Sequence, residues 1–400
     1  MSMWIGLLRP ELFHGADANP GPTLLVKVSP KPSVRAGRTT IVVPSAGLKA
    51  AGMICSESGW RYDSCQPISF EICSHDRESR AGWQASRLAL GLDDGWAPLL
   101  CLQQDADATR VYHRIESGPA GVLFTAIGEC PRLDDSTADT LNALARSREW
   151  FSAARPAFNP GMSHTRWMMG MELERKFTIA SQVAGAADLR VDTWALHNAL
   201  HDELTRGVWP GFIPEFNEEF HIWDYESEMF DVLHPEQSQG YVAFIPQADG
   251  QTTVKYKRFV VDAELRAESI QGDRPVGRDE FEDEARRVCR GEVRRLPGFR
   301  RKRFDCDLES LDTGNAYGIF FDICRTTDGN EGTLVQCEVE YLRTRSIAPI
   351  TAVQREFERV CELTDDFLRR HGAKFEAGYY SKLSFTRDVA RAASAGRPVS

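Results

Sequence analysis

Between Gly170 and Phe177 the chain reads GMELERKF, and Glu172, Glu174 and Lys176 alternate with Leu173, Arg175 and Phe177. In an extended strand successive side chains point to opposite faces, so two carboxylates and an ammonium stand in one row on one side of a sheet. Charges facing a sheet interior are expensive unless paired or coordinating something, so such a strand either lies open to water or lines a site for a charged ligand. A second acidic row comes at LVQCEVEY, where Glu338 and Glu340 alternate with Cys337, Val339 and Tyr341. Between the two lie basic rows, TTVKYKRF with Lys255 and Lys257, and GFRRKRF with Arg300, Arg301, Lys302 and Arg303. Four carboxylates can hold a hard divalent cation through oxygen ligands, and interleaved Lys and Arg can hold the phosphates that such a cation bridges. The order acid, base, base, acid favours a built site over four solvated faces.

Strand periodicity sorts these residues further. Lys255 and Lys257 share one face, with Tyr256 and Arg258 on the other, so only the two lysines can share an interior with Glu172. Arg301 and Arg303 share a face opposite Arg300 and Lys302, and a one-residue slip in register would exchange the pairs.

Taken together these residues resemble the CYTH, or triphosphate tunnel metalloenzyme, superfamily, whose first strand carries an E-x-E-x-K signature. The resemblance spans about Met171 to Phe385. His221 to Leu233 (HIWDYESEMFDVL) looks like the family's second-strand region, Thr253-Val254-Lys255 like its T-x-K strand, and Leu265-Arg266-Ala267-Glu268 like its R-x-E strand. Arg301 to Arg303 resembles its K-x-R strand, Cys337 to Glu340 its late E-x-E strand, and Ala377 to Leu383 (AGYYSKL) its closing S-Y-x-x-L. The resemblance implies, for the C-terminal half, a closed antiparallel β-barrel of the triphosphate tunnel type with flanking helices; with the strand-rich N-terminal domain read from its own residues below, the fold class is α+β. It implies Glu172, Glu174, Glu338 and Glu340 as ligands of Mg2+ or Mn2+. Lys176, Lys255, Lys257, Arg301 and Arg303 become catalytic cations that neutralise phosphate oxygens, with Arg266 and Lys382 added to the substrate-binding set. Two departures stand out. Where the family shows an R-x-R strand before T-x-K, this chain reads Tyr241-Val242-Ala243-Phe244-Ile245, without arginine. The aspartate expected before the late E-x-E strand is either Asp322 or falls at Cys324, which shares its face.

The elements that position these residues follow from the rest of the chain. At 400 residues there is room for two domains, each with its own core. Apolar content of 42% and charged content of 26% are those of a soluble globular protein. A net charge of -10 argues against a broad nucleic-acid-binding face while leaving room for a small basic pocket. The start, MSMWIGLLRPELFHG, has no signal-peptide pattern, and no run approaches the roughly 18 apolar residues of a spanning helix, so the chain is expected to be cytoplasmic and free of membrane. Ten cysteines at irregular spacings without C-x-x-C indicate neither a zinc ribbon nor a disulfide framework.

Residues 1–132 carry short apolar runs, at 23–28, 39–43, 68–72, 98–102 and 122–127, between Gly, Pro, Asp and Ser clusters, which predicts strands. Residues 133–166 read as a helix, Thr137 to Ala154, and then a Pro/Gly-rich linker, where the domain boundary is placed. Residues 167–386 form the barrel domain, with helices predicted at 193–205, 278–291 and 351–370, the last ending at Gly372. His197 and His201 fall four apart on the first of these, but Asn198 occupies the place of the glutamate that an H-E-x-x-H zinc helix requires, so they read as a surface pair. Residues 387–400 read as a flexible tail.

The functional expectation is a metal-dependent triphosphate hydrolase acting on inorganic tripolyphosphate or a small organic or nucleoside triphosphate. A non-catalytic sensor that binds a nucleotide or polyphosphate is the alternative from another class, and an adenylate cyclase of the class IV kind is the further one.

Overall fold

The computed structural model describes residues 2–8, 24–29, 34–44, 48–55, 61–62, 66–68, 97–118, 121–132, 171–183, 191–215, 222–259, 263–327, 332–344 and 350–395. The predicted helix and linker within 133–166 lie outside them.

Eight antiparallel strands close on themselves. They are β1 (Met171–Gln182), β2 (Ile222–His234), β3 (Gly240–Pro246), β4 (Thr252–Arg258), β5 (Leu265–Arg274), β6 (Phe299–Ser310), β7 (Asn315–Thr326) and β8 (Thr333–Thr344). Their order is β6-β7-β8-β1-β5-β4-β3-β2, and β2 pairs again with β6, from Ile222 against Phe304 to Ser227 against Phe299. That last ladder removes the sheet edge and turns period-2 alternation into an inside and an outside.

The outer faces are apolar where helices cover them. Helix α1 (Thr193–Thr205) starts at Asp192, whose side chain accepts from the Ala195 amide at 3.0 Å and caps the first turn. With α3 (Ile350–Arg370) it packs over β1, β6, β7 and β8, in a core that includes Leu196, Leu200, Phe177, Ile319, Val339 and Phe357. Each large side chain fully buried there contributes about 1.5–3 kcal/mol of transfer free energy. The last turn of α3 ends at Gly372, whose φ of 73° lies in the left-handed region that glycine enters at little cost. Helix α2 (Phe281–Cys289) covers β2, β3 and β4, with Phe281 stacked on Phe244 at 4.4 Å between centroids.

Helix α4 spans Lys382–Ala395, so the predicted flexible tail is corrected over residues 387–395. Leu383, Phe385 and Val389 pack against Met229, Tyr241, Phe299, Cys324 and Leu334 across one end of the barrel. Arg387 explains why the helix continues, since its guanidinium donates to Asp231, a fully buried carboxylate on β2 that also receives Arg294.

The N-terminal region is strand-rich as expected. Ten described strands form a second sheet, among them Leu24–Ser29, Thr40–Val43, Gln66–Ile68, Ala97–Gln104 and Gly121–Pro131. It touches the barrel at the β6–β7 turn, where the amides of Thr39 and Thr40 both donate to the Leu311 carbonyl, at 3.1 and 2.9 Å. Gly37 is required there, because a Cβ would stand 2.1 Å from that carbonyl oxygen. Val42, Leu123, Ile213 and Leu311 form a small apolar contact beside it. No helix among the described residues is long and apolar enough to cross a membrane. Seven described cysteines are free and buried, as their irregular spacing suggested.

Candidate functional site

Because β1 and β8 pair with Glu174 opposite Glu340 and Lys176 opposite Glu338, the two acidic rows meet side by side on the inner face. On the next strand round, Arg266 stands opposite Glu172. Opposite them β6 contributes Arg301 and Arg303, and β4 contributes Lys255 and Lys257, all lining a cavity of about 140 Å³ inside the barrel. Lys382, from the first turn of α4, enters through the plugged end. Every site residue expected from the sequence thus lines this one lumen: Glu172, Glu174, Lys176, Lys255, Lys257, Arg266, Arg301, Arg303, Glu338, Glu340 and Lys382. Arg300 and Lys302 stand outside, about half exposed, and pair with Asp224. Tyr256 and Arg258 are also on the outer face, where the Tyr256 hydroxyl donates to the Ser238 carbonyl at 2.6 Å.

Within the lumen the charges sort into two groups. Glu172, Glu174 and Glu340 each offer one carboxylate oxygen within 4.8 Å of the others. Around them, Lys257 pairs with Glu172 at 2.5 Å, Arg266 with Glu172 at 3.1 Å, and Lys176 and Arg266 with Glu174. Glu338 is separated from this trio. It sits with Asp322 among Arg301, Arg303 and Lys382; Arg301 reaches Glu338 at 3.1 Å, Arg303 reaches Asp322 at 2.7 Å, and Lys382 reaches Asp322 at 3.0 Å. Asp322, not Cys324, is therefore the residue that meets the cations, while Cys324 lies in the apolar floor beneath.

The positioning is local as well as topological. The Arg303 guanidinium lies over the Phe320 ring at 3.9 Å, a cation–π contact that fixes its plane. Phe320 can take that place only because position 318 is glycine, where a Cβ would meet the ring at 2.1 Å. Arg301 is aimed by its bond to the Tyr225 hydroxyl at 2.9 Å.

Electrostatics separate the carboxylates further. Burial disfavours the charged form of Glu172, but Lys257, Arg266 and Lys176 outweigh it and hold the carboxyl well below the usual range. Burial is likewise overcome at Glu338 by Lys382, Lys176 and Arg301. At Glu340 burial wins, joined by the charge of Glu172, and the carboxyl is pushed up to about 7. Asp307, two residues beyond Asp305 on β6, also rises to about 7, through burial, Asp305 and Glu340. The Lys255 side chain makes no hydrogen bond or ion pair among the described residues, in contrast to Lys257, although its charge acts on Glu340.

No protein-family model matches the chain, and no curated protein matches it. Sixteen chains of solved structures do. One is a putative adenylyl cyclase from Hippeastrum described as having a dominant triphosphatase activity, 18% identical, with a TM-score of 0.29 over 54% of this chain and 95% of that one. Another is the RNA triphosphatase Pct1 of S. pombe in complex with the Spt5 CTD, 11% identical, TM-score 0.22, covering 66% of this chain and 96% of that one. A second structure of Pct1 gives 11% identity and a TM-score of 0.21 over 60% of this chain and 94% of that one. These are distant likenesses, and the chemistry of the site has to be read from its own residues.

Glu268, quoted from the sequence in the R-x-E row but given no role there, pairs with Lys257 at 3.5 Å in the lumen. Tyr225, Ser227, Met229, Ile270, Phe299 and Ser381 also line the cavity, and no charge pattern in the sequence marks them. His197 and His201 form no site. The His197 ring is buried, stacked on Trp194 at 5.4 Å with Nε2 at 2.9 Å from the Asp305 carbonyl oxygen, and His201 is exposed.

Proposed function

We propose that the barrel is a CYTH-like triphosphate tunnel that binds a triphosphate together with Mg2+ or Mn2+ and hydrolyses its terminal phosphoanhydride. The observation that carries this reading is the two-part lumen, with three carboxylates converging beside seven cations. The carboxylate trio fits a hard divalent cation, because its donors are all oxygens and it leaves coordination positions for water and phosphate. A bound cation would supply positive charge beside the attacked phosphorus.

The chain's own residues supply the rest. Lys255, whose side chain makes no hydrogen bond or ion pair among the described residues, takes a phosphate oxygen. Arg266 and Arg301 each hold a buried Nε–H without an acceptor, donors that phosphate oxygens would satisfy. Arg301, Arg303 and Lys382, held by Glu338 and Asp322, stabilise charge on the terminal phosphoryl group as water forms a new bond to its phosphorus and gives its proton to solvent, while the bridging P–O bond breaks and that oxygen leaves with the remaining diphosphate. Orientation by paired, buried side chains lowers the reorganisation needed at the moment of reaction.

The sensor reading has one observation in its favour. Tyr241, Ala243 and Ile245 line the lumen where the resemblance expects arginines, so part of the phosphate-binding charge is replaced. Incubation with tripolyphosphate or ATP and Mg2+ or Mn2+, with orthophosphate, pyrophosphate and cyclic AMP measured, separates the readings. Orthophosphate release supports hydrolysis; cyclic AMP with pyrophosphate points to cyclisation. Tight binding without turnover refutes the enzyme in favour of the sensor.

A further inference from the structure

The strand registers place Met229, Ala243, Lys255 and Ile270 in one row across β2, β3, β4 and β5. All four line the lumen, and Ile245 lies beside them on the same face of β3. Lys255, whose side chain makes no hydrogen bond or ion pair among the described residues, is thus flanked by Ala243 on one strand and Ile270 on the other. Ile270 is 52% exposed although it lines the cavity, so an apolar side chain stands at its open side. Further along the same inner faces come Lys257 on β4 and Glu268 and Arg266 on β5, and the other carboxylates and guanidinium groups stand on β1, β6 and β8, so the charge lies to one side of this row.

An inorganic polyphosphate is charged along its whole length. Against Ala243, Ile245 and Ile270 its oxygens would lose water and gain no donor, which is costly. A ligand charged at one end and apolar at the other meets both walls. The cavity of about 140 Å³ is also smaller than the ~300–1,000 Å³ of pockets that enclose a drug-sized ligand, so a triphosphate would fill it and any organic group would extend toward Ile270.

Resting on the proposed triphosphate reading, we infer that the substrate is an organic triphosphate ester rather than inorganic tripolyphosphate, with Ala243, Ile245 and Ile270 forming the subsite for its apolar group beside Lys255. The ester phosphate reaches Lys255, and the group it carries covers the apolar row.

The test is calorimetric binding to the full chain at fixed Mg2+ and salt, with tripolyphosphate, ATP, UTP and phenyl triphosphate as probes. At least one ester is expected to bind about tenfold more tightly than tripolyphosphate, the scale of a modest apolar pocket contact. Ile270→Asn, at an exposed position where folding is safe, is expected to abolish that preference while leaving tripolyphosphate affinity within about twofold. Ala243→Arg is expected to reverse it. Tripolyphosphate binding more tightly than every ester, or an Ile270→Asn protein that keeps its preference, overturns the inference and leaves the triphosphate reading standing. If no probe binds, both fall.

Discussion

Replacing Lys255 by alanine separates ligand binding from folding more cleanly than any other lumen substitution. Lys257, two residues away on the same face, pairs with Glu172 at 2.5 Å and Glu268 at 3.5 Å, so its removal leaves buried carboxylates undercompensated. The expected cost of Lys257→Ala is loss of apo stability of up to about 3–5 kcal/mol, the range for breaking a buried ion pair. Among the described residues the Lys255 side chain has no such hydrogen-bonded partner, only a longer-range charge interaction with Glu340, and its neighbours in register are Ala243 and Ile270. Lys255→Ala should therefore shift the urea midpoint little, by about 0.5 kcal/mol or less. A triphosphate, however, loses one hydrogen bond from a charged donor, worth about 1.5–3 kcal/mol, which is a roughly 10- to 150-fold rise in Kd. Arg258→Ala, on the exposed outer face, is the control and should leave Kd unchanged. Titration calorimetry at fixed metal and salt gives the three affinities, and chemical denaturation gives the three stabilities. An unchanged Kd for Lys255→Ala, or an Arg258→Ala effect of equal size, would refute the assignment of β4's inner face to phosphate.

Glu172→Gln and Glu340→Gln should each weaken Mn2+ binding measured by calorimetry, since the amide keeps the shape and removes the charge; mutants that match wild type would remove the trio from the metal site. Asp307→Asn tests the buried acid on β6 in chelator-treated protein. Because the folded carboxyl titrates near 7 and the unfolded one near 3.8, wild-type stability from this group falls as pH rises from about 4 to 7, by at most about 4 kcal/mol. The Asn variant's advantage in denaturation should grow across that window, and a constant difference would refute it. Arg387→Ala removes one of two guanidinium partners of Asp231 and should cost about 1.5–3 kcal/mol with faster exchange of α4 amides; unchanged exchange would mean that packing alone holds the helix. Limited proteolysis should cut within 133–166 and leave a folded fragment starting near residue 160, and a fragment that melts would show that the N-terminal sheet is needed to support the barrel.

The barrel interior was legible because its strands carry charge at period 2, a pattern that hydrophobic burial does not produce by itself. Glu172, Glu174 and Lys176 could be assigned to one face before their partners were known, and the register at Glu174–Glu340 follows from both rows needing the same interior. Which carboxylates converge was not legible. Glu338 and Glu340 look equivalent in sequence, yet Lys382 arrives from α4 beside the first, while at the second burial and the charge of Glu172 outweigh Lys257 and Lys255. Asp322 was indistinguishable from Cys324 for the same reason, since only the tertiary arrival of Arg301, Arg303 and Lys382 tells them apart. Helix α4 was misread as tail because Arg387 to Ala395 is rich in Arg, Asp and Ala without a broad apolar stripe. Its anchors are Asp231, about 150 residues earlier on β2, and a bond from the Tyr380 hydroxyl to Asp388 at 2.8 Å.

Among the described residues α4 covers one end of the barrel, so the lumen is stoppered on that side. Under the proposed activity a triphosphate has to enter tail first, terminal phosphate deepest, and the piece cut off at the bottom cannot leave until the remainder has backed out. Such a vessel works from chain ends only. Cyclic trimetaphosphate, which has no terminus to insert, should be refused, and added orthophosphate should inhibit by occupying the bottom before the substrate arrives.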